Sequence, residues 1–213
     1  MNRLTLLSTI TVILFLSAGI LWAQGGTVIG INAGYINPKD AKDGMLFGLM
    51  FGRAIDESVD IGLGIDVFHK TYTEESKVAQ DNQQGLTTNT YYTSVEYSRT
   101  ILPLNLMVDV KIPVGRYLGY YIRGGLSYEF LFSKEKNYEI NNSENRRYGG
   151  LGWQAAGGLY YVVGSRSTFL ASVTYNSCEV SRSIEESTQG LPVSERIDLS
   201  GLGFRLGVLL DIE

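Results

Sequence analysis

The chain has 213 residues, 44% hydrophobic and 19% charged, which is too apolar for a disordered chain and too short for a large multidomain enzyme. With Lys+Arg at 18 and Asp+Glu at 22 the net charge is −4, so the phosphate-neutralising surface of a nucleic-acid binder is missing. Glycine is over-represented, 25 of 213 against a usual share of about 7%, and it comes with 14 Tyr and only 4 Pro, a mixture that favours strands over helices.

The chain opens MNRLTLLSTITVILFLSAGILWAQ, with Arg3 as its one charge, an apolar stretch from Leu4 to Trp22 and small Ala23 before Gln24. This is the pattern of a secretory signal peptide over 1–23, cut after Ala23, leaving one exported domain over 24–213. The stretch is just long enough to cross a bilayer as a helix, but Ser8, Thr9, Thr11 and Ser17 dilute it and a processing site follows. Cys178 is the sole cysteine, so no internal disulfide forms, and it reads as a small residue at a strand end.

From there apolar residues recur with period two, the pleat of strands whose faces meet different surroundings. The first segment sets Ile29, Ile31, Ala33 and Tyr35 against Gly30, Asn32 and Gly34, and the second sets Met45, Phe47, Leu49 and Phe51 against Gly48 and Gly52. The third sets Val59, Ile61, Leu63, Ile65 and Val67 against Asp60, Gly62, Gly64 and Asp66. The fourth runs to about Val110, with Leu102, Leu104, Leu106 and Val108 against Pro103, Asn105 and Asp109. Tyr120, Ile122, Leu126, Tyr128 and Phe130 oppose Arg123, Gly125, Ser127 and Glu129 in the fifth. In the sixth, Trp153, Ala155, Leu159 and Tyr161 oppose Gln154, Gly158 and Tyr160. The seventh has Phe169, Ala171, Val173 and Tyr175 against Ser172, Thr174 and Asn176. The eighth has Leu202, Phe204, Leu206, Val208 and Leu210 against Gly201, Gly203, Arg205 and Gly207.

Short turns are expected around 54–57, 111–116 and 164–166, and polar loops at 37–43, 73–90, 133–147 and 179–195. Tight turns at one end and polar loops at the other predict an all-β, eight-stranded antiparallel up-and-down barrel. Pro103, inside a strand, predicts an irregularity or bulge beside it.

The residues opposite the apolar rows decide which face is inside. A soluble exterior would be rich in Lys, Glu, Thr and Gln, yet here the second face is dominated by Gly with Ser, Asn and a few charges. Glycine suits the crowded interior of a narrow barrel, so the apolar face is read as the exterior of a transmembrane β-barrel. Ile29, Ile31, Phe47, Leu49, Leu63, Ile65, Leu104, Leu106, Ile122, Leu126, Leu159, Val173, Phe204, Leu206 and Val208 are then expected to face lipid. Tyr35, Phe132, Tyr148, Trp153 and Tyr175 near the loops, and Phe51, Tyr117, Tyr161 and Phe169 near the turns, fit aromatic girdles at two bilayer interfaces.

The stretches at 26–35 (GTVIGINAGY), 101–115 (ILPLNLMVDVKIPVG), 120–130 (YYIRGGLSYEF) and 201–210 (GLGFRLGVLL) carry a resemblance to the small OmpA/OmpX-like eight-stranded outer-membrane β-barrels. It implies an outer-membrane location, lipids as surroundings, the barrel-assembly machinery as partner during insertion, and a monomer. Members usually end on an aromatic residue that this machinery reads, whereas this sequence ends Asp211-Ile212-Glu213.

Asp60, Asp66, Asp109 and Glu129 share the interior face with Arg123 and Arg205, and buried charges must be paired. Asp66 and Glu129 are the expected partners of Arg123 and Arg205, forming a polar network that fills the lumen. His69 is the only histidine. Outer-membrane lipid A deacylases resemble this architecture, but their His-x-Ser pattern is replaced here by His69-Lys70-Thr71. Neither a metal site nor a cofactor is expected, since clustered His or Cys ligands and a complete dinucleotide fingerprint are lacking. The leading expectation is a non-enzymatic barrel acting in envelope structure or surface interaction through its loops. A small porin-like pore is the alternative, ahead of a lipid-modifying enzyme.

Overall fold

A computed structural model describes residues 26–83, 86–138, 142–184 and 193–212, with side chains left out at 74–94, 184 and 193, so the expected signal peptide lies outside the described residues. The strands are β1 (Thr27–Pro38), β2 (Gly44–Ala54), β3 (Val59–Gln83), β4 (Leu86–Pro113), β5 (Leu118–Asn137), β6 (Asn142–Val163), β7 (Ser167–Ile184), β8 (Val193–Asp198) and β9 (Gly201–Ile212). Each neighbour in sequence pairs antiparallel from β1 to β7, and β9 closes the ring between β7 and β1. β8 continues the line of β9 along β7, interrupted only at Leu199 and Ser200, so the barrel has eight staves with the last in two pieces.

Closure satisfies the backbone ladder without an edge, which is what lets a sheet enter hydrocarbon. The turns are short. Asp56 Oδ1 accepts from the amides of Ser58 and Val59 at 2.7 and 2.8 Å, fixing the β2–β3 turn. Gly164 takes φ 72° in the β6–β7 turn, a left-handed conformation that a side chain would strain.

The alternation translates directly into facing. Among the residues whose side chains are described, odd residues of β1, β2 and β3, even residues of β4 and β5, odd residues of β6 and β7 and even residues of β9 point outward. Glycine permits crowding inside: a Cβ on Gly48 would run into Asp66 Oδ1 and Asn32, and one on Gly62 would meet Met50 Cε at 2.6 Å.

One expectation is met in part and two change. Pro103 sits opposite Glu129 in unbroken register with β5, while on the β3 side pairing lapses between Ile65 and Phe68 and resumes without a shift, so the irregularity expected beside Pro103 is a gap in the ladder and not a bulge. An inward proline lacking its N–H removes a bond from the ladder without adding a residue. The described residues of the long connections 73–90, 133–147 and 179–195 are largely strand, because β3 and β4 pair up to Gln83 and Leu86, β5 and β6 up to Asn137 and Asn142, and β7 and β8 up to Ile184 and Val193. Finally, Tyr148 is 6% exposed and points inward, so it is not a girdle residue.

Candidate functional site

The barrel offers two places for function, the lumen and the rim above the outer girdle. The lumen is layered. At the turn end Val28, Met50, Met107, Tyr121, Tyr160, Leu170 and Leu209 form one buried apolar cluster. At the loop end Ile36, Leu46, Phe68, Ile101, Leu131, Tyr148, Cys178, Val180 and Leu199 form a second. Between and beside these plugs lie the charges.

Arg205 Nη1 donates to Asp66 Oδ2 at 2.9 Å, and Asn105 Nδ2 donates to the same oxygen at 2.9 Å. Arg123 clamps Asp109 with two bonds of 2.6 Å, from Nε and from Nη2. Its partner is thus Asp109 rather than Asp66 or Glu129, because Asp109 and Arg123 face each other directly across the β4–β5 ladder. Lys111 Nζ stands 2.7 Å from Asp60 Oδ2, an ion pair whose angle falls outside good hydrogen-bond geometry. The sequence pattern puts Lys111 at the start of a turn; instead β4 runs on to Pro113 and turns it toward the lumen. Glu129 pairs with no cation among the described residues: Asn176 Nδ2 donates to it at 2.8 Å and Ser127 Oγ more weakly at 3.5 Å.

Two cavities of about 20 Å³ lie among the described residues, one beside Glu129 and Asp66, the other beside Arg123 and Arg205. Each has room for about one water. Asn32 Oδ1, Gln154 Nε2 and Thr174 Oγ1 converge on the second without protein partners. Among the described residues, the two apolar clusters and the ion pairs of Arg123 and Arg205 occupy the lumen around these cavities.

On the outside, every residue expected to face lipid points outward; all are exposed except Ile29 and Val208, which are half-buried. Tyr35, Phe132, Trp153 and Tyr175 ring the loop end, and Phe51, Tyr117, Tyr161 and Phe169 the turn end. Water-soluble monomers rarely expose a contiguous apolar belt of this kind.

Above the outer girdle the exterior becomes polar. His69 Nδ1 shares a hydrogen bond of 2.9 Å with Thr100 Oγ1, and its Nε2 lies 3.4 Å from Thr71 Oγ1. Both ring nitrogens thus meet hydroxyls, and no carboxylate among the described residues orients the imidazole. At the rim Lys39 Nζ meets Asp198 Oδ2 at 2.9 Å. The Ser200 hydrogen bonds, with Lys39, pull the Asp198 carboxyl down to about 2, and Asp198 raises Lys39 in return. The Arg146 guanidinium, 2.7 Å from Glu144, likewise holds that carboxyl below its usual range. Among the described residues no cluster of His, Cys, Asp and Glu could hold a metal.

Several solved structures with this shape are outer-membrane proteins. Neisserial surface protein A aligns over 88% of this chain and 97% of its own at 10% identity, with a TM-score of 0.56. A major outer membrane protein from Thermus thermophilus aligns over 87% and 99% at 14% identity and a TM-score of 0.55. This is the fold of the small outer-membrane β-barrels. The outer membrane protein OprG from Pseudomonas aeruginosa shares it too, over 89% and 97% of the chains, at 13% identity and a TM-score of 0.53. No protein-family model and no curated relative matches the sequence. At these identities the likeness speaks for architecture, and the location that goes with that architecture and this exterior is an outer membrane.

Sequence reasoning missed the two apolar plugs and Lys111. The signal for the plugs was present as runs of adjacent apolar residues, Leu49-Met50-Phe51, Leu106-Met107-Val108 and Phe130-Leu131-Phe132, where both faces of a strand are apolar.

Proposed function

We propose that the protein is exported, inserts as a monomer with the help of the barrel-assembly machinery, and works without catalysis through the hairpins it holds above the outer rim. On this reading the apolar rows meet acyl chains and the lumen is a filled strut. The observation that carries it is the combination of a lumen closed by apolar plugs and ion pairs with strands that continue past the rim as paired hairpins. A rigid scaffold presenting extended hairpins suits surface interaction better than transport.

Planar-bilayer recording tests this first. The purified barrel is expected to be electrically silent, and reproducible stepwise conductance would favour the pore instead. Replacing His69 by Ala is expected to leave the envelope lipids chemically unchanged; a changed acylation pattern would overturn the non-enzymatic reading.

A further inference from the structure

The β5–β6 hairpin sorts its charges by face. Glu135, Glu144 and Arg146 lie on the inward-facing parity, where Arg146 Nη2 is 2.7 Å from Glu144 and 4.0 Å from Glu135. Lys134, Lys136 and Arg147 lie on the outward-facing parity and are exposed, and no carboxylate among the described residues pairs with any of them. Lys136 instead stands over the Tyr138 ring at 4.3 Å. The one outward carboxylate nearby, Glu96 of β4, accepts a 2.7 Å hydrogen bond from the Tyr138 hydroxyl. The other side of the rim is different. There Glu179 is matched by Arg196 at 3.2 Å and Asp198 by Lys39 at 2.9 Å, so no positive excess builds up.

The girdle fixes the height of this patch. Arg147 is directly cross-strand from Phe132 and its guanidinium sits 5.9 Å from that ring's centre, so it lies at the edge of the aromatic belt. Lys134 is the next outward position along β5, about 5 Å farther from the membrane centre for a strand tilted at roughly 40°. On the membrane placement proposed above, this is the level of headgroup phosphates. Ser98 and Thr100 of β4, which pair with Lys134 and Phe132, complete the row with hydroxyls.

We propose that Arg147 and Lys134, with Lys136 behind them, form a binding site for the phosphate of an anionic lipid in the outer leaflet, its acyl chains descending past Phe132 and Phe130. Arginine presents a planar fork to phosphate oxygens while lysine supplies a point charge, and the apolar side of the site is already aromatic. The proposal rests on the membrane placement argued above, and it adds a preference among lipids that placement alone does not imply.

Trp153, outward on β6 below Arg147, reports on the lipid beside it. The full chain carrying Trp22→Phe, with Trp153 as its sole indole, is reconstituted in bilayers containing brominated phosphatidylglycerol or brominated phosphatidylcholine. The anionic lipid is expected to quench Trp153 with at least about a fivefold lower half-saturating mole fraction, the size of effect that one basic residue produces near a membrane surface. Lys134→Gln/Lys136→Gln/Arg147→Gln should abolish that preference, whereas Lys42→Gln, elsewhere on the rim, should leave it. Equal quenching by both lipids in the parent protein would overturn the site while still showing insertion. A preference that survives the triple substitution would overturn it as well, and quenching by neither lipid would defeat the membrane placement itself.

Discussion

The Arg123 and Asp109 pair allows a quantitative test of how the lumen is held together. Both side chains are buried, at 6% and 1% exposure, and they are joined by two 2.6 Å bonds. Asp60 lies directly across the β3–β4 ladder from Asp109, so removing Arg123 leaves two carboxylates side by side with Lys111 as their near cation. Arg123→Met keeps much of the length and faces the Met50 sulfur, which Arg123 Nη2 already approaches at 3.5 Å. Stranding a buried charge in this way costs about 3–5 kcal/mol, whereas replacing both partners by apolar residues of similar volume is often neutral or stabilising. The expectation is therefore an inversion: Arg123→Met/Asp109→Leu should be more stable than Arg123→Met alone. Urea unfolding in lipid vesicles, followed by fluorescence and by heated against unheated gel mobility, gives the free energies from midpoints at matched slopes. The reasoning fails if the single change costs under about 1 kcal/mol, or if the double loses as much as the two singles together.

Other expectations follow from facing, crowding and charge. Leu63, 45% exposed in the middle of the β3 outer row, should cost about 2–4 kcal/mol when changed to Arg, with no comparable loss for a polar residue at outward Thr71 above the girdle; equal effects at both depths in the same unfolding assay would contradict the belt. Gly48→Ala pushes Asp66 off Arg205 and is expected to cost about 1–3 kcal/mol, while Gly124→Ala, whose Cβ would meet nothing within 4 Å, should be neutral or mildly stabilising; similar midpoints for the two would refute the crowding argument. Asp198, held down to about 2 by Ser200 and Lys39 against an ordinary 3.8, favours the ordered rim above pH 4, and that contribution disappears as the pH falls toward 2. A carboxyl titration by NMR should show the low midpoint, Lys39→Gln should raise it, and an ordinary midpoint in the parent protein would count against the rim contact.

The facing was readable because glycine marks the inside. Gly48, Gly62, Gly64 and Gly207 alternate with bulky apolar residues, and only a crowded interior makes that exchange worthwhile in strands that glycine otherwise weakens. Pairing across the lumen was not readable in the same way. Arg123 and Asp109 are neighbours through the β4–β5 register, while Arg205 on β9 reaches Asp66 on β3 across two intervening staves, and only closure of the ring brings them within 2.9 Å. The hairpins look like loops in the sequence for a different reason. Alternation appears only where two faces meet different media, and past the girdle both faces of β3 to β6 carry polar residues, as where Ser98 and Arg99 of β4 stand opposite Thr71 and Lys70 of β3. The backbone ladder does not depend on that contrast, so the strands run on after their hydrophobic signature stops. The same boundary divides the side chains of this molecule: below it they belong to the apolar belt or to the filled lumen, and above it the paired hairpins carry Lys134, Lys136 and Arg147 on a face with no internal claim on their charge.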